Sequence, residues 1–300
     1  MHFRKLKYCL IPLLLISRTK SHAQSAGFKK LISEIETLGL QFESVNPFEE
    51  RVRLKDFGLT YSQMKGIDPK EFSKGKDSVY TETMRGYLQE KLLQKIDMVV
   101  NQKDFRKYVK PEWGNISVKH STDKKLYNIT FFENTGGSHK SNVSMLYYFP
   151  EGKKPIRFET EDHDGYNYIY QIKSTTGTKY LMKGTVMACN TCYASYVRLI
   201  HFENGSMISD FDYSLLTRQA SYDYEADLIM YMEAEKAILV EHYTDDLAPY
   251  CKCYEDETPE STAEEPEPPS HRCFCRFNFD GNTFLLANRS DEIVKPTDED

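Results

Sequence analysis

The sequence predicts an α+β protein: an N-terminal helical segment followed by a predominantly antiparallel β domain, a sandwich, a barrel or a propeller-like array. Three observations carry that expectation. Apolar residues recur at three- and four-residue spacing before Pro111, and at two-residue spacing from Trp113 onward. Tyrosine and phenylalanine are abundant, 21 and 17 of 300 residues, and aromatic side chains suit the pleated, half-buried surface of a strand. Strand-like runs follow one another closely with turn signals between them, which is the pattern of a meander.

The first element reads as a leader. Residues 1–23, MHFRKLKYCLIPLLLISRTKSHA, set Arg4, Lys5 and Lys7 before an apolar run from Tyr8 to Ser17, and Ser21-His22-Ala23 precedes Gln24. This is the make-up of a secretory signal peptide. The apolar run falls well short of the roughly 20 residues that span a bilayer, and no second candidate follows. A soluble, exported chain, periplasmic or extracellular, is therefore expected. Cys9 sits inside the leader without a lipobox, which argues against a lipid anchor. Without the leader, 34 basic residues face 45 acidic ones, a formal charge of −11 that disfavours nucleic acid and anionic membranes as partners.

Residues 24–110 form the helical segment. Phe28, Leu31, Ile32, Ile35 and Leu38 share one helical face, with Gly39 where a C-terminal cap would fall. A second helix is expected from Asp77 or Ser78, both good caps, through Met84, Leu88, Leu92, Ile96 and Val99 to Asn101. A short helical turn at 105–108 follows, and Pro111 closes the region. Residues 46–76 between the helices read as irregular, punctuated by Gly58, Gly66 and Pro69.

Residues 111–290 form the β domain. In LYNITFFE, 126–133, Tyr127, Ile129 and Phe131 alternate with Asn128 and Thr130. Further strands are expected at 144–149, 168–172, 179–184, 195–202, 228–233, 237–243 and 276–279. Asn204-Gly205 and Asp280-Gly281 are the dipeptides of two-residue hairpins, where both central residues need positive φ. Residues 254–272, YEDETPESTAEEPEPPSHR, carry seven acidic residues and four prolines and are too charged to pack, so a mobile loop is expected. The charged residues 291–300 read as a flexible tail.

One stretch carries a resemblance. In STDKKLYNITFFENTGGSH, 121–139, Ser121, Asp123, Lys125 and Leu126 open a strand and Thr135, Gly136 and Gly137 close it. This resembles an uncharacterised group of exported Bacteroidota proteins with an S-x-D-x-K-L opening and a T-G-G close, a helical segment before the pattern and a β-rich segment after it. The resemblance implies an exported bacterial protein and carries no activity. The Gly136-Gly137 pair itself reads as a loop or bulge needing positive φ, since a strand rather than a helix follows it. His139 reads as a solvated loop histidine.

The six remaining cysteines fall into three close pairs: Cys189/Cys192, Cys251/Cys253 and Cys273/Cys275. An even count in an exported chain favours disulfides. If CKC and CFC lie on adjacent antiparallel strands, all four sulfurs project to one side, and Cys253–Cys273 and Cys251–Cys275 form two rungs that staple the loop. The alternatives are one zinc ion held by Cys251, Cys253, Cys273 and Cys275, or pairing rearranged with CNTC. CNTC itself interrupts strand-like residues instead of opening a helix, so it reads as a closed local disulfide and not as a redox centre.

Other candidates have plain structural readings. ETEDHDG, 159–165, offers Asp162 and Asp164 at the first spacings of a calcium loop, but Tyr166 occupies the next ligand position, and a solvated turn is expected. Asp162 and His163 lack a nucleophile elbow to complete a triad. His201 and His242 read as sheet residues. Tyr168, Tyr170, Tyr196, Phe202 and Tyr231 read as core, with an aromatic binding face as the alternative. Sequons occur at Asn115, Asn128, Asn142, Asn204 and Asn288. No catalytic motif stands out. The expectation is a non-enzymatic exported protein, without cofactor, that binds a protein or a glycan; the alternative is a hydrolase or zinc-dependent enzyme whose site is assembled from strand ends.

Overall fold

The computed structural model describes residues 26–137, 139–160, 165–218, 229–244, 250–253 and 271–293. The leader, Asp162, His163, Asp164, residues 254–270 of the acidic loop and the tail beyond Ile293 lie outside the described residues.

The chain opens with helix α1 (Ala26–Glu43), then a two-stranded ribbon of β1 (Arg51–Arg53) and β2 (Ser78–Tyr80), then helices α2 (Thr81–Val100) and α3 (Phe105–Tyr108). Three antiparallel meanders follow. The first sheet holds β3 (Glu112–Trp113), β4 (Ile116–His120), β5 (Leu126–Phe132), β6 (Asn142–Tyr148) and β7 (Ile156–Glu159). The second holds β8 (Tyr168–Ser174), β9 (Gly177–Met187), β10 (Cys192–Glu203) and β11 (Ser206–Arg218). The third holds β12 (Ile229–Met232), β13 (Ala237–Tyr243), β14 (His271–Phe279) and β15 (Phe284–Ile293). Strand order within each sheet is the order of the chain, because each strand pairs with the next before the chain moves on.

The sheets stack face to face, with the helices as an outer layer, and three apolar cores lie between the layers. Alternation along a strand decides which core each side chain joins. Tyr127, Ile129 and Phe131 of β5 face the helices and meet Phe42, Met84, Leu88 and Leu92, whereas Leu126 faces the second sheet. In β9, Tyr180 and Met182 join that second core and Leu181 joins the third, against Val240 and Phe277. The middle sheet is thus covered on both sides.

Several local expectations change. Helix α1 runs past Gly39, which is buried within it. The Asn115 side chain lies where a methyl group at Gly39 would stand, and Asn115 Nδ2 donates to the Gly39 carbonyl at 3.1 Å. The glycine permits a close approach and does not end the helix. Helix α2 starts at Thr81, not at Asp77 or Ser78, because Ser78 and Val79 pair with β1. The expected irregular 46–76 region contains β1 and three short 3-10 turns. Asn128, on the other face of β5 from Tyr127 and Ile129, is buried: it is 1% exposed, donates to Ser144 Oγ at 2.8 Å and to the Met145 carbonyl at 3.1 Å, and accepts from the Tyr166 N–H at 2.7 Å. A buried amide is tolerated where its donors and acceptor are satisfied in this way. Strand β15 extends to Ile293, three residues into the expected tail.

All six described cysteines form disulfides. Cys189–Cys192 closes the β9–β10 connection locally, with Cα atoms 4.9 Å apart. The other pairs are Cys251–Cys273 and Cys253–Cys275, at Cα separations of 5.5 and 6.3 Å, and this corrects the expected rungs. The strand beside β14 is β13, so His242 stands opposite Cys273 and Val240 opposite Cys275. CKC therefore lies on the connection between the two strands and not on a ladder. Its Lys252 donates to the Ser214 carbonyl of β11, so the stapled connection also reaches the second sheet. Sulfurs joined in these pairs leave no thiolate for zinc among the described residues, and no cluster of three or more His, Cys, Asp or Glu side chains suited to a metal occurs among them. No helix among the described residues is long and apolar enough to cross a membrane.

Candidate functional site

Four turns gather at one end of the stack. The β4–β5 turn is framed by Ser121 Oγ, which donates to Asp123 Oδ1 at 2.6 Å; the Lys125 N–H donates to the same carboxylate oxygen, and the Leu126 N–H donates to Ser121 Oγ, both at 3.0 Å. These are the S-x-D-x-K-L residues, and their physical role here is to fix a turn with Lys124 at φ +54°. The β8–β9 hairpin sends the Thr175 N–H to the Gly281 carbonyl at 2.8 Å. Asn204 and Gly205 close the β10–β11 hairpin at φ +52° and +86°, the two-residue turn expected of this dipeptide. The β14–β15 connection is longer than expected. Phe279 pairs with Phe284, and the Asp280 carboxylate accepts the Thr283 and Asn282 N–H groups at 2.8 and 2.7 Å, which holds it below the usual carboxylate range.

A cleft of about 230 Å³ opens between these turns. Lys125 and Tyr148 line it from the first sheet, and Thr176, Thr178, Lys179, Tyr180, His201 and Phe202 from the second. Tyr148 and Phe202 stack at 3.8 Å between centroids with their planes 7° apart. Tyr180 donates its hydroxyl to Asp123 Oδ2 at 2.9 Å, and burial, reinforced by Asp123, pushes its ionisation well above the ordinary tyrosine range. Burial also raises Tyr148. Both phenols stay protonated and keep their O–H groups.

The deepest polar cluster sits at the back of the cleft. Lys179 is 2% exposed, yet its Nζ donates to Asn282 Oδ1 at 2.8 Å and pairs with Asp210 Oδ2 at 3.0 Å. The same Asp210 oxygen lies 2.8 Å from His201 Nδ1, so Nδ1 donates and Nε2 is left for the cleft. Asp210 reaches both partners because of a register shift: Leu199 pairs with Phe211 and Ile200 with Ser209, which leaves Asp210 as the extra residue of a β-bulge. Lys179 and Asp210 offset each other electrostatically, as a buried pair must.

Of the residues singled out in the sequence, the structure brings His201 and Phe202 to the cleft, together with Lys125 of the resemblance motif. Tyr196 is buried at 3% and donates to the Gly165 carbonyl, a core role. Tyr168, Tyr170 and Tyr231 form a separate chain of rings, 6.1 and 4.8 Å between neighbours, with Tyr168 half exposed. His242 is buried beside Cys273 and takes no part. Gly136, at φ +82°, packs against Pro47 and Phe48 as a loop glycine, and His139 is exposed. Sequence reasoning missed Lys179, Tyr180, Asp210 and Asn282. Only the unusual lysine at the head of the apolar run KYLM signalled any of them.

Comparison with known proteins finds no matching family, no similar curated protein and no similar solved structure.

Proposed function

We propose that the protein is an exported, non-enzymatic binding module whose end cleft takes one sugar unit of a glycan. The observation that carries this reading is the composition of the cleft: hydroxyls, a charge-balanced Lys179–Asp210–His201 cluster and a stacked aromatic pair in a space of about 230 Å³. A sugar ring presents hydroxyls that both donate and accept, and an apolar C–H face that rests on aromatic rings. Thr176, Thr178, Lys125 Nζ and His201 Nε2 supply the matching polar groups. A flat apolar patch, which a protein partner would favour, is not what these residues make.

The test is titration of the full exported chain with a panel of mono- and oligosaccharides, followed by calorimetry. The double variant Lys125→Ala/Thr178→Val is expected to weaken the best sugar by roughly tenfold, as expected when well-placed hydrogen bonds are lost, with an unchanged melting curve. A panel in which no sugar binds would sink the proposal. Export predicts a mature N-terminus at Gln24, read by N-terminal sequencing.

One observation favours the hydrolase alternative: Asp210 orients His201 in the manner of a general base. Turnover of chromogenic glycosides or esters that disappears in His201→Gln would replace binding with catalysis as the function.

A further inference from the structure

A second depression, about 650 Å³, lies away from the His201 cluster, on the helical side of the first sheet. Its walls come from two segments far apart in sequence. Lys103 stands on the corner between α2 and α3 and Arg106 on α3, and Lys153 and Lys154 stand on the β6–β7 turn, with Phe149 and Pro155 between them. No carboxylate lines it among the described residues, although the chain as a whole carries 45 acidic residues against 39 basic ones. All four cations are exposed, and none forms an ion pair among the described residues.

Cations often gather at a helix C-terminus to satisfy its carbonyls. Here that role is taken by neighbours. Asn101 Nδ2 donates to the Asp97 carbonyl at 2.8 Å and Gln102 Nε2 to the Met98 carbonyl at 3.3 Å. Each amide keeps its oxygen as an acceptor, and both residues line the depression together with the cations. Lys153 and Lys154 face the same helix end but make no hydrogen bond to its carbonyls among the described residues. Arg106 lies over the Phe149 ring at 5.6 Å, which holds its guanidinium above the floor.

We propose that this depression binds an acidic polysaccharide, its carboxylate or sulfate groups held between the two pairs of cations and its hydroxyls donating to the Asn101 and Gln102 amides. The choice of a polysaccharide over other polyanions rests on the glycan reading of the cleft and on its proximity. Tyr148 lines the cleft and the next residue, Phe149, lines the depression, on opposite faces of one sheet, and the Phe149 N–H donates to the carbonyl of the cleft residue Lys125 at 2.7 Å. Charge supplies the attraction here, so affinity falls as salt rises, with the slope set by the number of cations engaged.

Binding of the full chain to polygalacturonate fragments and to dextran sulfate, with neutral dextran as reference, tests this directly. Both acidic polymers are expected to bind, with affinity falling at least tenfold between low and physiological salt. The double variant Lys153→Glu/Lys154→Glu, on an exposed turn, is expected to weaken binding by tenfold or more. Lys29→Glu/Lys30→Glu, matched in charge but placed on α1, is expected to change it less than twofold. Lys125→Ala/Thr178→Val is expected to leave acidic-polymer binding largely intact, which separates this site from the cleft. An equal loss in the α1 variant would overturn the proposal, because net charge alone would then explain the binding. So would equal or tighter binding to single-stranded DNA or to vesicles rich in anionic lipid. Loss of acidic-polymer binding alone, with neutral sugars still bound at the cleft, would overturn this inference and leave the cleft reading standing.

Discussion

Asp210 decides the character of the cleft. It is an ordinary aspartate in an alternating run, SDFDYS, and becomes central only because a bulge turns it toward Lys179 and His201. Removing one member of a buried pair leaves the other charge uncompensated, so Asp210→Ala is expected to cost about 3 kcal/mol in urea denaturation. In a double-mutant cycle with Lys179→Met the second substitution should add little once the first is made, and strict additivity would show that the two do not interact. The buried phenols make a second prediction at this scale. Burial raises Tyr127 and Tyr231 to about 12 and lifts Tyr147 and Tyr180 further, with Asp97 and Asp123 adding to the effect on those two. In the unfolded chain these groups ionise near pH 10, so the folded state holds more protons above that value. Their contribution is complete below about pH 10 and declines as pH rises toward 12. Absorbance of tyrosinate against pH should therefore show a late group of tyrosines that ionise together with loss of the folded circular dichroism signal.

At the scale of elements, the loop closed by each disulfide sets how much it contributes. Cys251–Cys273 and Cys253–Cys275 each span 22 residues and Cys189–Cys192 spans three. The two long bridges close nearly the same loop, so loop-closure entropy predicts about 3 kcal/mol for the first of them to form, much less for the second, and under about 2 kcal/mol for the short bridge. Replacing all four of Cys251, Cys253, Cys273 and Cys275 by Ala should lower the denaturation midpoint clearly more than Cys189→Ala/Cys192→Ala, and the reverse order would show that strand pairing alone fixes the CKC connection. The helices and buried strands were legible in the sequence because their apolar spacing reports a covered face, as in Met84, Leu88, Leu92 and Ile96 of α2 or Tyr127, Ile129 and Phe131 of β5. The short strands β1–β4 and β7, too brief to display a repeat, were not, nor were β11 and β15. Both are edge strands with much of their length exposed, so backbone pairing with a single neighbour holds them and leaves no hydrophobic alternation to read. The rung pairing was misread for a related reason: spacing shows that two cysteines share a face, but not which segment lies beside them.

For the whole molecule, the stack makes each layer depend on the next. The third sheet covers Leu181, Val197, Leu199 and Leu215 of the second, and its Asn282 holds Lys179 in the cleft. A chain truncated after Arg218 should expose that face, bind a hydrophobic dye and aggregate, and it should lose sugar binding at the cleft. A soluble, dye-silent truncation product would show that the second sheet is stable without its cover.

The α+β class, the order of helices before strands, eight of the fifteen described strands and the Asn204-Gly205 turn are readable from the chain, because these depend on periodicity and on the φ preferences of single residues. The motif around Ser121 and Asp123 was visible too, though not as the frame of a turn. Packing in three dimensions settles which turns meet, that Asp210 reaches both Lys179 and His201, that Asn128 is buried, that the cysteines pair 251 with 273 and 253 with 275, and that four cations from two distant segments share one depression. Those outcomes follow from how sheets stack and from a one-residue bulge, and neither register nor stacking leaves a periodic signal in the chain.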